Sequence, residues 1–385
     1  MPESQSDLVV RSALAVSLIA VALLAHDAMA QQVPAAGFGD LAWRMVGPMR
    51  GGRTRAVAGV PAQPSAFYIG AVNGGVWKTE DAGRTWQPLF DAQPTQSIGA
   101  IAVAPSDPNT VYVASGEGLL RPDLSVGNGI YRSRDGGRSW SHLGLTEGQQ
   151  IPELAVDPRD PARLFAAVLG RPYGPSPERG IYRSLDAGVT WARVLYKDAD
   201  TGGSAVAIDP AHPEVVYAGL WQARLGPWED KNKFRGTGGG LFKSSDGGNT
   251  WRRLTAGLPQ DLSQVNIAIA PSAPQRVYLA VGTAATEEYS SAAGLGIFRS
   301  DDAGESWTRI TSDPRPALKI GGGDLPVLRV DPSNADVVYS ASIVTMKSTD
   351  GGKSWQPLRG APGGDDYQNL WINPNDPRII ALVGD

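Results

Sequence analysis

The chain has 385 residues, 42% of them hydrophobic, with 47 Gly, 30 Pro, no Cys, three His and a net charge of −4. The missing cysteines exclude a disulfide framework, thiol catalysis and Cys-ligated metal, and with only His26, His142 and His212 available no metal site and no cofactor are expected. A nearly neutral balance without a basic stretch argues against nucleic acid as the main partner.

Residues 1–30 read as a signal peptide. Arg11 precedes the apolar run Ala13–Ala25, and Ala28-Met29-Ala30 offers small residues where a signal peptidase reads. The run is short for a membrane span, and Glu3 and Asp7 offset Arg11 in the leading region. Removing the segment leaves a net charge of −2. An exported protein, periplasmic or extracellular and bacterial, is expected. No membrane span follows the leader, and a monomer is expected.

The remainder, residues 31–385, is expected to be one β-propeller. Beginning near Val57, a β-rich run, a Pro-containing turn and a second β-rich run recur seven times, the later copies lying near Ile101, Leu154, Val206, Ile267, Leu328 and Trp371. Between them a second pattern, S/T-x-D-x-G-x-S/T-W, occurs six times, at Thr79–Trp86, Ser133–Trp140, Ser184–Trp191, Ser244–Trp251, Ser300–Trp307 and Ser348–Trp355. Its Trp residues (Trp86, Trp140, Trp191, Trp251, Trp307, Trp355) step by 54, 51, 60, 56 and 48 positions, a period that belongs to propellers and other repeat arrays. Two strands flank the Pro turn, a third precedes the second pattern, and a fourth starts at its Trp. Four short antiparallel strands make one blade. The fold class is therefore all-β: a propeller of about seven four-stranded blades.

The second pattern is structural chemistry. Asp81, Asp135, Asp186, Asp246, Asp302 and Asp350, with the flanking Ser and Thr hydroxyls, suit a tight turn closed by side-chain bonds to backbone N–H groups. The Gly takes positive φ without steric cost, and the Trp supplies a large apolar body. The seventh hairpin, Trp371 to Val383, has no such turn after it. Leu41-Ala-Trp43-Arg44 looks like a fourth strand that would help to close the ring. The chain is expected to be a fragment of a longer, two-propeller protein.

These repeats resemble the BNR/Asp-box family, shared by bacterial sialidases, xyloglucanase-type glycoside hydrolases, sortilin-type ectodomains and photosystem II assembly factors. The likeness covers residues 43–385. Trp43–Arg53 and Asn73–Thr79 bring it closer to secreted bacterial proteins labelled glycosyl hydrolase, BNR repeat, or sortilin N-terminal domain. The resemblance implies that the Asp-boxes lie on one face and that ligands bind the opposite, loop face. The loops there hold Glu117, Arg121 and Asp123, then Trp221, Arg224, Trp228, Glu229, Asp230 and Arg235, then Glu287, Glu288 and Tyr289. Asp324, Asp365, Asp366 and Tyr367 follow, with Arg50, Arg53 and Arg55 ahead of the first inner strand.

From these, Glu117, Asp230, Asp324 and Asp366 are the candidate acids, and Arg50, Arg53, Asn73, Trp221, Trp228 and Tyr367 the candidate ligand contacts. Glycoside hydrolysis needs two carboxyl groups about 5–5.5 Å or about 6.5–9.5 Å apart, and large loop aromatics suit sugar stacking. Departures from the enzymes are visible. Where the xyloglucanase pattern has a catalytic Asp two positions before Gly-Gly, this chain has Val72. The sialidase arginine motif and its Tyr/Glu pair are absent. The reading is a binding or scaffold propeller for a glycan or protein partner on the loop face. The alternative is a glycoside hydrolase acting on a polysaccharide.

Overall fold

Each Pro-containing turn joins two strands that are apolar on both sides, so the hairpin needs a neighbour on each face. The computed structural model describes residues 53–119, 124–224, 234–283, 295–320 and 324–384. It arranges seven such hairpins as seven antiparallel sheets, six of four strands and one of two, and within each the strands follow chain order from the innermost outward. The seven innermost strands are Thr54–Val60, Ile98–Ala104, Glu153–Val156, Thr201–Ile208, Leu262–Ile269, Val327–Asp331 and Asn369–Ile372. They number the blades one to seven. The outermost strands are two to four residues long and begin one residue after the Trp, not at it as the sequence suggested. The expected leader and the Leu41–Arg44 strand lie outside the described residues. Among the described residues no helix is long and apolar enough to cross a membrane.

The core is cut into layers. One apolar cluster fills each gap between successive blades, as where Tyr68 and Val76 of blade one meet Ile98, Val111 and Val113 of blade two. Equivalent clusters follow round the ring to blade seven. Polar staples cross the same gaps. A Tyr on the second strand donates its hydroxyl to a carbonyl of the next blade, at 2.7–3.0 Å from Tyr68, Tyr112, Tyr217 and Tyr278. A basic residue on the third strand does the same to the next Asp turn: Arg132 to Ala187, Arg183 to Gly247, Lys243 to Ala303 and Arg299 to Gly351.

The six Asp turns share one hydrogen-bond scheme. The opening Ser or Thr is buried, donates to the Asp carboxylate at 2.6–2.8 Å, and accepts the Gly N–H at 2.7–2.9 Å. The closing Ser or Thr donates its N–H to one Asp oxygen at 2.9 Å and its hydroxyl to the other at 2.6–2.7 Å. Hydrogen bonds to an ionised carboxylate favour its charged form. They hold Asp81, Asp186, Asp302 and Asp350 down to about 2, led by the Thr85 N–H, the Thr190 hydroxyl, the Ser300 hydroxyl and the Ser354 hydroxyl in turn. Asp135 and Asp246 are lowered further, led by the Ser139 and Thr250 hydroxyls.

Blade seven closes against blade one. The Thr54 N–H donates to the Gly384 carbonyl at 3.1 Å, and Arg55 Nη1 donates to the Gln368 carbonyl at 2.8 Å. Trp371 lies over Gly59, where a Cβ would overlap its ring, and meets Phe67 edge to face with centroids 5.9 Å apart.

Candidate functional site

Strand direction puts the Pro turns and the Asp turns on one side of the ring and the remaining loops on the other, as the resemblance implied. On that loop side the structure joins two of the candidates. Arg53 immediately precedes the inner strand of blade one, and Glu117 follows the second strand of blade two. Arg53 Nη1 donates to Glu117 Oε2 at 2.8 Å, with Glu117 fully buried and Arg53 15% exposed. Gln150, also fully buried, braces the pair from blade three. Its Oε1 accepts the Glu117 and Gly118 N–H groups at 2.7 and 2.9 Å, and its Nε2 donates to the Ser125 carbonyl at 2.9 Å. Sequence reasoning did not single out Gln150, because a lone amide in a loop gives no pattern. The Val72 N–H donates to the Arg53 carbonyl at 2.8 Å, so Val72, singled out above for its departure from the xyloglucanase pattern, adjoins this pair.

The other candidates are dispersed. Asn73 is exposed at φ 57°, in the tight turn that also seats Val72. Asp324 is buried ahead of blade six, its carbonyl accepting the Ile320 N–H at 2.9 Å. Asp366 is half-buried at φ 45° ahead of blade seven. Glu117, Asp324 and Asp366 thus enter from blades two, six and seven. Arg50, Arg121, Asp123, Trp228, Glu229, Asp230, Glu287, Glu288 and Tyr289 lie outside the described residues.

Two aromatic candidates turn inward. Trp221, expected in a loop, is on the strand Val216–Arg224, which pairs with Phe234–Ser244 as an extended hairpin with Arg224 opposite Phe234. It is 2% exposed and packs with Leu119, Leu124, Leu169 and Ala223. Tyr367 is buried with Leu370 and Ile372 against blade six, its hydroxyl donating to the Gly363 carbonyl at 3.2 Å. In both cases burial of a large apolar ring outweighs display to solvent.

A charged crossbar in the central channel was also not foreseen. Arg329 of blade six and Glu153 of blade three face each other across the ring, Nη2 to Oε1 at 4.0 Å. Arg329 donates to the Leu328 carbonyl at 2.9 Å and to Asn369 Oδ1 at 3.1 Å, and Asn369 Nδ2 donates to the Arg55 carbonyl at 3.4 Å. Desolvation in the channel pushes the Glu153 carboxyl up, opposed by the Arg329 and Arg55 charges. The sequence signal was present: a charge interrupts an otherwise apolar inner strand in Glu153-Leu-Ala-Val156 and again in Val327-Leu-Arg329-Val330.

With this geometry in hand, the chain was compared with known proteins. No family model matches it. Xyloglucanase Xgh74A of Acetivibrio thermocellus is 26% identical over 338 residues, covering 76% of this chain and 36% of that protein. A probable oligoxyloglucan-reducing end-specific xyloglucanase of Neosartorya fischeri is 24% identical over 379 residues, covering 84% of this chain and 42% of its own. Among solved structures, the GH74 xyloglucanase of Xanthomonas campestris superposes with a TM-score of 0.63 at 23% identity, over 89% of this chain and 52% of its own. YCF48 of Cyanidioschyzon merolae superposes with a TM-score of 0.54 at 14% identity, over 89% of this chain and 98% of its own. The chain therefore spans well under half the length of those curated relatives, 36% and 42%. The fold class is a β-propeller, and the similarity in sequence is to xyloglucanases.

Proposed function

We propose that this chain is a polysaccharide-directed propeller of the xyloglucanase-like glycoside hydrolases, with its loop face forming one wall of a glycan cleft. The observation that carries this reading is the sequence similarity to proteins named xyloglucanases, which extends over 76–84% of the chain and runs through its repeats. The ring geometry is compatible with it, since the loop side carries the Arg53–Glu117 pair and, apart from it, the exposed Asn73. Export to the periplasm or the exterior belongs to the same proposal and rests on the leader-like residues 1–30.

A second reading, a glycan- or protein-binding module without turnover, is favoured by two specific features. Val72 stands where the enzymes' pattern has its Asp, and Glu117 is taken up by Arg53. A carboxylate held in a buried ion pair is a poor proton donor, because the guanidinium stabilises its charged form.

The test is a soluble xyloglucan assay with two readouts, release of reducing ends and retardation in a polysaccharide-loaded gel. The proposal expects both, with release lost in Asp324→Asn or Asp366→Asn. Retardation without release would leave the binding module. Neither response would sink the glycan reading altogether.

A further inference from the structure

The central channel widens, on the side of the Asp turns, into a cavity of about 390 Å³ that six of the seven blades line. Pro105, Pro158, Pro210, Pro271, Pro332 and Pro374, one from each turn, ring its mouth. Its wall is Ile208, Ile267, Ile269, Val330, Trp371 and Ile372, and its far end is the Glu153–Arg329 crossbar. Among the described residues, none of blade one lines it; on that side Trp371 lies over Gly59.

Arg329 is held off its counter-ion. Both of its hydrogen bonds go to neutral oxygens, and Glu153 stands 4.0 Å away, beyond hydrogen-bond distance. A guanidinium binds a carboxylate with charge-assisted bonds that are about twice as strong as neutral ones. The lining is mostly apolar, with the charged crossbar at one end, which disfavours a sugar. Arg329 disfavours a cation, and Glu153 disfavours a second negative charge on the ligand. Its charged crossbar at one end and apolar lining toward the proline ring suit a ligand with one polar end and one apolar end.

We propose that this funnel binds a straight-chain aliphatic monocarboxylate, with the carboxylate on Arg329 and the alkyl chain along the apolar wall toward the proline ring. The site lies on the opposite side of the ring from the glycan face and does not depend on the reading of that face.

The experiment is calorimetric titration of the purified protein with octanoate, octanol and octyltrimethylammonium. Octanoate is expected to saturate a single site. Octanol is expected to bind at least about ten-fold more weakly, as the loss of one charge-assisted contact implies, and the ammonium not measurably. Arg329→Met is expected to bring octanoate to the level of octanol or below it, since Glu153 remains, and Glu153→Gln to tighten octanoate by removing a like charge. Equal affinity for octanoate and octanol, or no saturable octanoate binding, overturns the proposal. So does octanoate binding unchanged in Arg329→Met. If Arg329→Met does not fold, the three ligands on the unaltered protein decide the matter.

Discussion

Arg53 and Glu117 stand 64 residues apart in sequence, in different blades, and form a 2.8 Å ion pair at the loop-side opening of the ring. Glu117 is sealed from solvent, and Gln150 of a third blade holds its backbone. Breaking a buried ion pair by removing one partner costs about 3 kcal/mol. Glu117→Gln and Arg53→Gln are therefore each expected to lower stability by about that amount. The double variant should lose less than the sum. Denaturant unfolding of the three proteins measures this, and strictly additive losses would show that the pair is not coupled.

The Asp turns predict the acid limit of the fold. Asp81, Asp186, Asp302 and Asp350 are held at about 2, below their ordinary range near 3.9. A carboxyl depressed in the folded state stabilises the fold above its unfolded value and loses that contribution as it protonates. Stability should be flat down to about pH 4 and fall between about pH 4 and 2. The unfolding midpoint as a function of pH checks this. A fall that begins above pH 6, or none by pH 2, would contradict it.

Three turns carry a correctable strain. Ala82, Ala187 and Ala303 adopt φ of 59°, 60° and 56°, while the equivalent positions of the other three turns are Gly136, Gly247 and Gly351 at 72–74°. A side chain in left-handed backbone costs about 1–2 kcal/mol, partly offset by the greater freedom of unfolded Gly. Each Ala→Gly change should therefore raise stability by up to about 1 kcal/mol, and the three, being far apart, should add. The melting temperature of the triple variant is the measurement, and a decrease would refute the argument.

Ring closure rests on a glycine. A side chain at Gly59 would enter the ring of Trp371. Gly59→Val is expected to cost about 3 kcal/mol as an overpacked contact. Trp371→Leu in the same chain should recover part of it, since the smaller side chain makes room. Failure of the second change to rescue the first would place the strain elsewhere.

Trp221 separates packing from recognition. Its burial with Leu119, Leu124 and Leu169 predicts that Trp221→Ala costs about 3–5 kcal/mol of stability. Folded Trp221→Ala should bind xyloglucan as the parent does, if the parent binds it. Unchanged stability with lost glycan retardation would mean that the ring contacts the sugar after all.

The repeats were legible in the sequence because they are local. The Asp turns close within eight residues, from opening Ser or Thr to Trp, so their hydrogen bonds follow from spacing alone. The seven hairpins could be counted from Pro turns between β-rich runs. A blade that is apolar on both faces implies a ring, because only stacking buries both faces. The site was less legible, because it is assembled across blades. Nothing near Arg53 in sequence names Glu117, and nothing near Glu153 names Arg329, although each charge stands out against its apolar strand. The sequence could name Trp221 as a large aromatic near a long loop. It could not show that the strand runs on to Arg224 and buries the ring, since that depends on pairing with Phe234–Ser244. Sequence by itself determined the repeat, the turn chemistry and the all-β class. Tertiary structure decided which charges meet, which aromatics are buried and where the channel is crossed, because those outcomes depend on the angle between blades and not on spacing along the chain.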